Sequence, residues 1–258
     1  KPTYGTPVAI KILLLRGSIF ERNKLIKQFE REAEIAKNLE HPNIVKVYNF
    51  GRFDHHYAMI MEYIDGKNLK EYLYEREKWE LDKILRICYE VGKGLEYIHK
   101  HNIVHKDVKP DNILVSYDFK IIKLTDFGIA KLPKKIWQKD IFPRSGTVTK
   151  FGIISYISKE QAEGNATFQS DIYSFGVTMD EIITAKIYIE GKEDEDYFKR
   201  IDVRAYRKNT GKQRILCDDL PIPSGLKDII KKATEEELSL RYQNMTHLLQ
   251  DLKNFIKE

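Results

Sequence analysis

Cysteine is scarce. Cys88 and Cys217 are the only two in 258 residues, and they lie far apart. Such a pair does not make a disulfide framework, which points to a reducing, cytoplasmic setting. No apolar run is long enough to span a bilayer, so no membrane segment is expected in this chain. No signal peptide is visible, although the start looks cut, so that absence excludes nothing. No basic stretch with interleaved aromatics accompanies the net charge of +5, which disfavours nucleic-acid binding. No Cys/His spacing suggests zinc, and there are no internal repeats or low-complexity tracts. Glycine is sparse at the start, with Gly5 the only one before Lys11.

What is present fits a globular protein of one large or two small domains, with 42% hydrophobic and 32% charged residues. The chain is organised around His105–Asn112, reading H-K-D-V-K-P-D-N, and the later Asp126-Phe127-Gly128. The first stretch lies between the apolar runs Ile103-Val104 and Ile113-Leu114-Val115, a pattern that predicts strand, tight loop, strand. Pro110 stiffens the loop, so Asp107, Lys109 and Asn112 can be held towards one place. Asp126 follows another short run, Ile121–Leu124, and Gly128 permits a sharp turn after it. Carboxylates, an amide and a lysine converging on one site supply hard-oxygen ligands for magnesium and a cation for phosphate. That set suits phosphoryl transfer, where catalysis is mostly positioning and charge neutralisation.

At these residues the chain resembles the eukaryotic-type serine/threonine protein kinases, and some of its runs are similar to bacterial members. The resemblance extends from Val8-Ala9-Ile10-Lys11 to Arg241. It implies an α+β, bilobal protein-kinase-like fold. Residues 1–63 would form a small lobe with an antiparallel sheet and one helix, and residues 64–258 a mainly helical large lobe. It also implies ATP and Mg2+ as cofactors and a protein substrate that the sequence does not identify. Lys11 would hold the α- and β-phosphates, and Glu32 would be its partner. Met61 would back the adenine pocket, and the backbone of Glu62 and Ile64 would pair with the adenine edge. Asp107 would be the base for the substrate hydroxyl and Lys109 the lysine near the transferred phosphate. Asn112 and Asp126 would hold the metal. Asp171 would hold the catalytic-loop backbone, and Arg241 would pair with Glu160.

Periodicity alone predicts strands over Val8–Leu15, Ile44–Tyr48 and Tyr57–Met61. It predicts helices over Asn23–Leu39, Leu81–His101, Ser170–Ile183, Leu226–Ala233 and Met245–Ile256. Leu25, Phe29, Ala36 and Leu39 share one face of the first helix with Glu32, and an inward carboxylate needs a partner. His99 and His101 read as surface or capping residues near a helix end, and Cys88 as core.

Residues Ile129–Ser158 would be the activation segment, with Ser145, Thr147 and Thr149 as candidate autophosphorylation sites. Several positions depart from the family pattern. The glycine-rich loop is missing before Lys11. Lys106 stands where arginine is usual, Ile153 where threonine is frequent, and Lys159 where proline is usual. The missing loop, Ile153 and Lys159 keep open a regulatory pseudokinase that acts as a binding module; a small-molecule phosphotransferase of related fold is a separate alternative.

Overall fold

The structure, a computed structural model, describes residues 5–75, 77–127, 156–186 and 220–256. It opens with strand β1 (Val8–Leu13) and helix α1 (Ile19–Lys37), followed by strands β2 (Val47–Phe53) and β3 (His56–Glu62). These strands form an antiparallel sheet in the order β1-β3-β2, with Lys11 opposite Met59 and Val8 opposite Glu62. The outward residues of β1 stay exposed, so its apolar residues alternate across the sheet as a period of two requires.

Helix α1 starts four residues before the apolar period predicts. The reason is a capping box that the periodicity does not register: Ser18 accepts from the Glu21 backbone, and the Glu21 carboxylate accepts from Ser18. Leu25, expected on the buried face, is exposed, and the buried residues of α1 begin only at Phe29. Phe29, Ala33 and Ala36 do pack into the core, and Glu32 is buried with them.

A second antiparallel sheet follows. Strand β4 (Gly66–Asn68) pairs with β5 (Ile113–Ser116), and β5 with β6 (Ile122–Leu124). Gly66 has a steric reason to be glycine: an added Cβ would lie 2.0 Å from the Val115 carbonyl oxygen. Helix α2 (Leu69–Tyr74) is capped by Asn68, and α3 (Leu81–Lys100) buries Ile84, Cys88, Val91, Leu95 and Ile98 as its stripe predicts. Ile44 and Val45 join no regular strand. They cross to Leu124 through one parallel bridge and a 2.9 Å bond from Val45 N, tying the first sheet to the second. Ile103-Val104 likewise joins no strand, so the strand, loop, strand expectation holds only on its β5 side.

The remaining described helices are α4 (Lys159–Ala162), α5 (Phe168–Lys186), α6 (Ser224–Ala233) and α7 (Met245–Lys253). Helix α5 is buried on most sides, and beside its apolar residues it buries polar ones such as Ser170, Asp171, Ser174 and Glu181. It packs against α3 and α6, and α7 against α3, so the core of this half is helix on helix. Cys88 is in that core, where burial pushes its thiol up to about 12, leaving it a packing residue. Among the described residues no helix is long and apolar enough to cross a membrane.

Candidate active site

The site is built where the two sheets face the loop after α3. Lys11 lies in the middle of β1, and α1 packs across the same sheet. Its ammonium reaches two carboxylates, Glu32 Oε1 at 3.1 Å and Asp126 Oδ1 at 2.7 Å. Thus the inward carboxylate of α1 has the partner that its place on the apolar face demands. Burial works against the Lys11 ammonium, but Asp126 and then Glu32 outweigh it and hold its pKa above the ordinary lysine value.

The loop His105–Asn112 is held from below. The Asp171 carboxylate, fully buried at the start of α5, accepts from the backbone N–H of His105 at 2.7 Å and of Lys106 at 2.8 Å. Lys106 has φ 68°, a left-handed conformation that costs a non-glycine residue energy. Its two polar backbone groups are both engaged, since Gln161 Nε2 donates to its carbonyl at 2.8 Å. Above it, Asp107 is gripped from two sides. Lys109 Nζ lies 3.1 Å from Oδ1, and Asn112 Nδ2 donates to Oδ2 at 2.7 Å. Pro110 opens the single 3-10 turn Pro110–Asn112 that brings Asn112 back to Asp107, so the stiffness expected of this proline has a structural use.

The two carboxylate loops are joined through the backbone. Thr125 N donates to the Asn112 carbonyl at 3.0 Å, and the next residue is Asp126. Asp126 has φ 59°, which turns its carboxylate towards Lys11; aspartate tolerates this region better than most residues. Phe127 packs on buried His105 in a tilted ring pair, 5.1 Å between centroids. Burial lowers the His105 pKa despite the nearby carboxylates of Asp171, Asp107 and Asp126, so the ring is a neutral brace.

Of the residues expected at the site, Lys11, Glu32 and Asp126 form one ion cluster, and Asp107, Lys109 and Asn112 a second, linked one. Met61 sits in β3 opposite Ala9 and Val47. The Glu62 N–H is taken by Lys46 O at 2.8 Å, and its carboxylate by Lys123 at 2.8 Å. Ile64 is buried. Gly128, Ser145, Thr147, Thr149 and Ile153 lie outside the described residues. The Glu160–Arg241 pair forms at 2.7 Å. Lys159 is the first residue of α4, a position where proline and lysine are both accommodated, and its side chain is exposed.

Sequence reasoning missed His99. It is not a surface residue: its Nε2 lies 2.9 Å from Asp171 Oδ2, its side chain is 8% exposed, and its ring packs on Phe168. The signal was available, since His99 is four residues after buried Leu95 and so belongs to the inner face of α3. His101, by contrast, is exposed. Asn43 and Gln161 were missed because nothing in their neighbourhood marks them. Asn43 Nδ2 reaches Glu90 and the Ile122 carbonyl, and Gln161 reaches Lys106.

Among the described residues no three His, Cys, Asp or Glu side chains converge into a metal cage. The fit is to a different kind of site. Asn112 spends its amide nitrogen on Asp107, which leaves its oxygen for a ligand, and Asp126 adds a carboxylate. Two hard oxygens supplemented by phosphate are how a magnesium-sized cation is commonly held.

Removing the Lys11 ammonium should weaken the first cluster in a measurable way. A charged hydrogen bond is worth roughly 1.5–3 kcal/mol, or roughly 10–150-fold. Lys11→Met is expected to weaken binding of a phosphate-bearing ligand at this cluster by a factor in that range. Titration with a fluorescent nucleotide measures it, and an unchanged Kd would contradict a role for Lys11.

Comparison with known proteins adds to this geometry. The family model described as "Protein kinase domain" matches residues 1–252. The chain is 34% identical over 247 residues to the probable serine/threonine-protein kinase PknB of Lactococcus lactis, covering 95% of this chain and 37% of that protein. It is 34% identical over 251 residues to the serine/threonine-protein kinase PrkC of Bacillus subtilis, covering 95% of this chain and 36% of that protein. The chain therefore spans little more than a third of the length of these curated relatives. Among solved structures, the kinase domain of Mycobacterium tuberculosis PknI is similar with a TM-score of 0.68 and 21% identity, over 98% of this chain and 88% of that one.

Proposed function

The chain belongs to the protein kinase domain family, and from that membership we propose that it transfers the γ-phosphoryl group of ATP to serine and threonine hydroxyls of proteins. One observation carries the reading: four separated segments bring Lys11, Glu32, Asp107, Asn112 and Asp126 into two ion clusters joined through Asn112 and Thr125. A binding module has no need of both carboxylates.

In this reading residues 1–63 and 64–258 form the two lobes, and the nucleotide lies between them. Lys11, steadied by Glu32, holds the α- and β-phosphates. Met61 backs the adenine. Since the Glu62 N–H is already bonded to Lys46, adenine recognition there falls to its carbonyl and to the Ile64 N–H. Asn112 and Asp126 would hold Mg2+, which when bound neutralises charge on the β- and γ-phosphates. Asp107 takes the proton of the substrate hydroxyl, and Lys109, 3.1 Å from it, stands over the moving phosphoryl group. A cytoplasmic setting, where ATP is available, goes with this activity. Ser145, Thr147 and Thr149 remain the candidate autophosphorylation sites.

The test is transfer from γ-labelled ATP to the chain itself and to a generic protein, with and without Mg2+, followed by phosphoamino-acid analysis. Phosphoserine or phosphothreonine that appears only with Mg2+ is the expected result. Label on a sugar or antibiotic and none on protein would favour the small-molecule alternative. Nucleotide binding without turnover would favour the pseudokinase.

A further inference from the structure

The outer face of α1 carries a patch that the phosphotransfer site does not use. Phe20, Asn23, Lys24, Lys27, Gln28 and Arg31 recur at three- and four-residue spacing and line one open depression. They point away from buried Phe29, Glu32, Ala33 and Ala36. Phe20 is 80% exposed, and its neighbour Ile19 79%. Elsewhere several surface lysines meet carboxylates: Lys46 with Glu40, Lys67 with Glu75, Lys93 with Glu90 and Lys100 with Glu96. On α1 the sequence offers the same opportunity, because Glu30 and Glu34 follow Lys27 and Arg31 at a spacing of three. Yet among the described residues Lys24, Lys27 and Arg31 have no carboxylate within ion-pair reach. Lys27 and Arg31, four apart, repel each other on the helix surface. The result is three uncompensated cations along roughly 11 Å of helix, with an aromatic side chain at one end.

We propose that this face docks an acidic peptide segment of a partner protein, its carboxylates on Lys24, Lys27 and Arg31 and one apolar side chain against Phe20. The charge calls for an anion, and the planar fork of Arg31 suits a carboxylate. The amides of Asn23 and Gln28 flank the cations and can bond a peptide backbone. A membrane surface fits less well, because apolar residues are confined to the Ile19–Phe20 end instead of running along the whole face. Single-stranded nucleic acid fits less well too, since no second aromatic is interleaved with the cations. The same helix presents Glu32 to Lys11 from its inner side, so the docked segment lies about one helix diameter, roughly 10 Å, from that ion pair.

The experiment is fluorescence anisotropy of a labelled glutamate-rich peptide with one tryptophan, titrated with the 258-residue chain in the absence of ATP. The probes beside it are the glutamine version of that peptide and phosphatidylserine vesicles. Binding of the glutamate peptide that weakens about tenfold from low to physiological salt is expected, with little binding of the glutamine version. Charge reversal in Lys24→Glu/Lys27→Glu/Arg31→Glu should abolish it. The milder Lys24→Gln/Lys27→Gln/Arg31→Gln, with unchanged circular dichroism, should weaken it about tenfold or more. Equal binding of both peptides, unchanged binding by the glutamine-substituted protein, binding to vesicles alone, or no binding at all would overturn the proposal. Because ATP is absent, the outcome is independent of whether the chain transfers phosphate.

Discussion

Asp107→Asn should lower the rate of phosphoryl transfer by about 10²–10⁴-fold, the usual worth of a general base. The substitution keeps the shape of the side chain and removes its charge and its basicity. Asn112 Nδ2 also bonds the Asp107 backbone carbonyl at 2.7 Å, so the loop keeps one of its two ties from that residue. Asp171 still holds the loop through the His105 and Lys106 amides. Nucleotide binding should therefore change little, because Lys11, Glu32 and Asp126 are untouched. Single-turnover transfer from labelled ATP measures the rate, and a fluorescent nucleotide measures binding. If the variant transfers as fast as the natural chain, Asp107 is not the base.

The second large effect is on stability. Arg241 is fully buried and satisfied from several sides. Its guanidinium donates to Glu160 Oε1 at 2.7 Å, the Gln169 carbonyl at 2.8 Å and the Glu235 carbonyl at 2.7 Å. Arg241→Ala leaves Glu160 partly buried without its counter-charge and removes the donor from three carbonyls, those of Gln169, Glu235 and Glu236. The expected loss is about 3–5 kcal/mol, read from denaturant unfolding at pH 7. A loss below about 1 kcal/mol would show that water replaces the guanidinium.

The same pair sets a pH dependence. Burial alone would raise the Glu160 pKa, but hydrogen bonds from Arg241, Ser158 and Ser170 hold it below the ordinary value of 4.5. A carboxyl whose folded pKa is depressed contributes its stability above the unfolded pKa. That contribution is lost as pH falls from about 4.5 through the folded value. Acid titration of unfolding should show this loss in the natural chain, and a shallower slope over the same window in Glu160→Gln. Equal slopes would remove Glu160 from the account.

The charged residues that the structure brings together were legible in the chain because buried charge restricts residue types. A carboxylate on an apolar helix face, as at Glu32, is costly unless paired, so its presence there announces a partner. Helix stripes such as Ile84, Cys88, Val91, Leu95 and Ile98 were legible for a related reason: period and burial are the same information. Less visible were features that depend on hydrogen bonds rather than hydropathy. The four-residue extension of α1 comes from Ser18 and Glu21, and the burial of His99 from a carboxylate 72 residues away. The crossing of Ile44 and Val45 to Leu124 joins segments about 80 residues apart, and no local pattern specifies that pairing.

The sequence alone therefore determined the long helices with an apolar stripe and which side chains carry charge into apolar surroundings, since both are local consequences of spacing and desolvation. Only the tertiary structure decided how those charges are matched. Lys11 serves Glu32 and Asp126 together, Asp171 holds two amides and a histidine, and Asn112 links the loop of Asp107 to the strand end before Asp126. Matching of this kind depends on distances between segments far apart in the chain, and those distances exist only once the two sheets and the helices have packed.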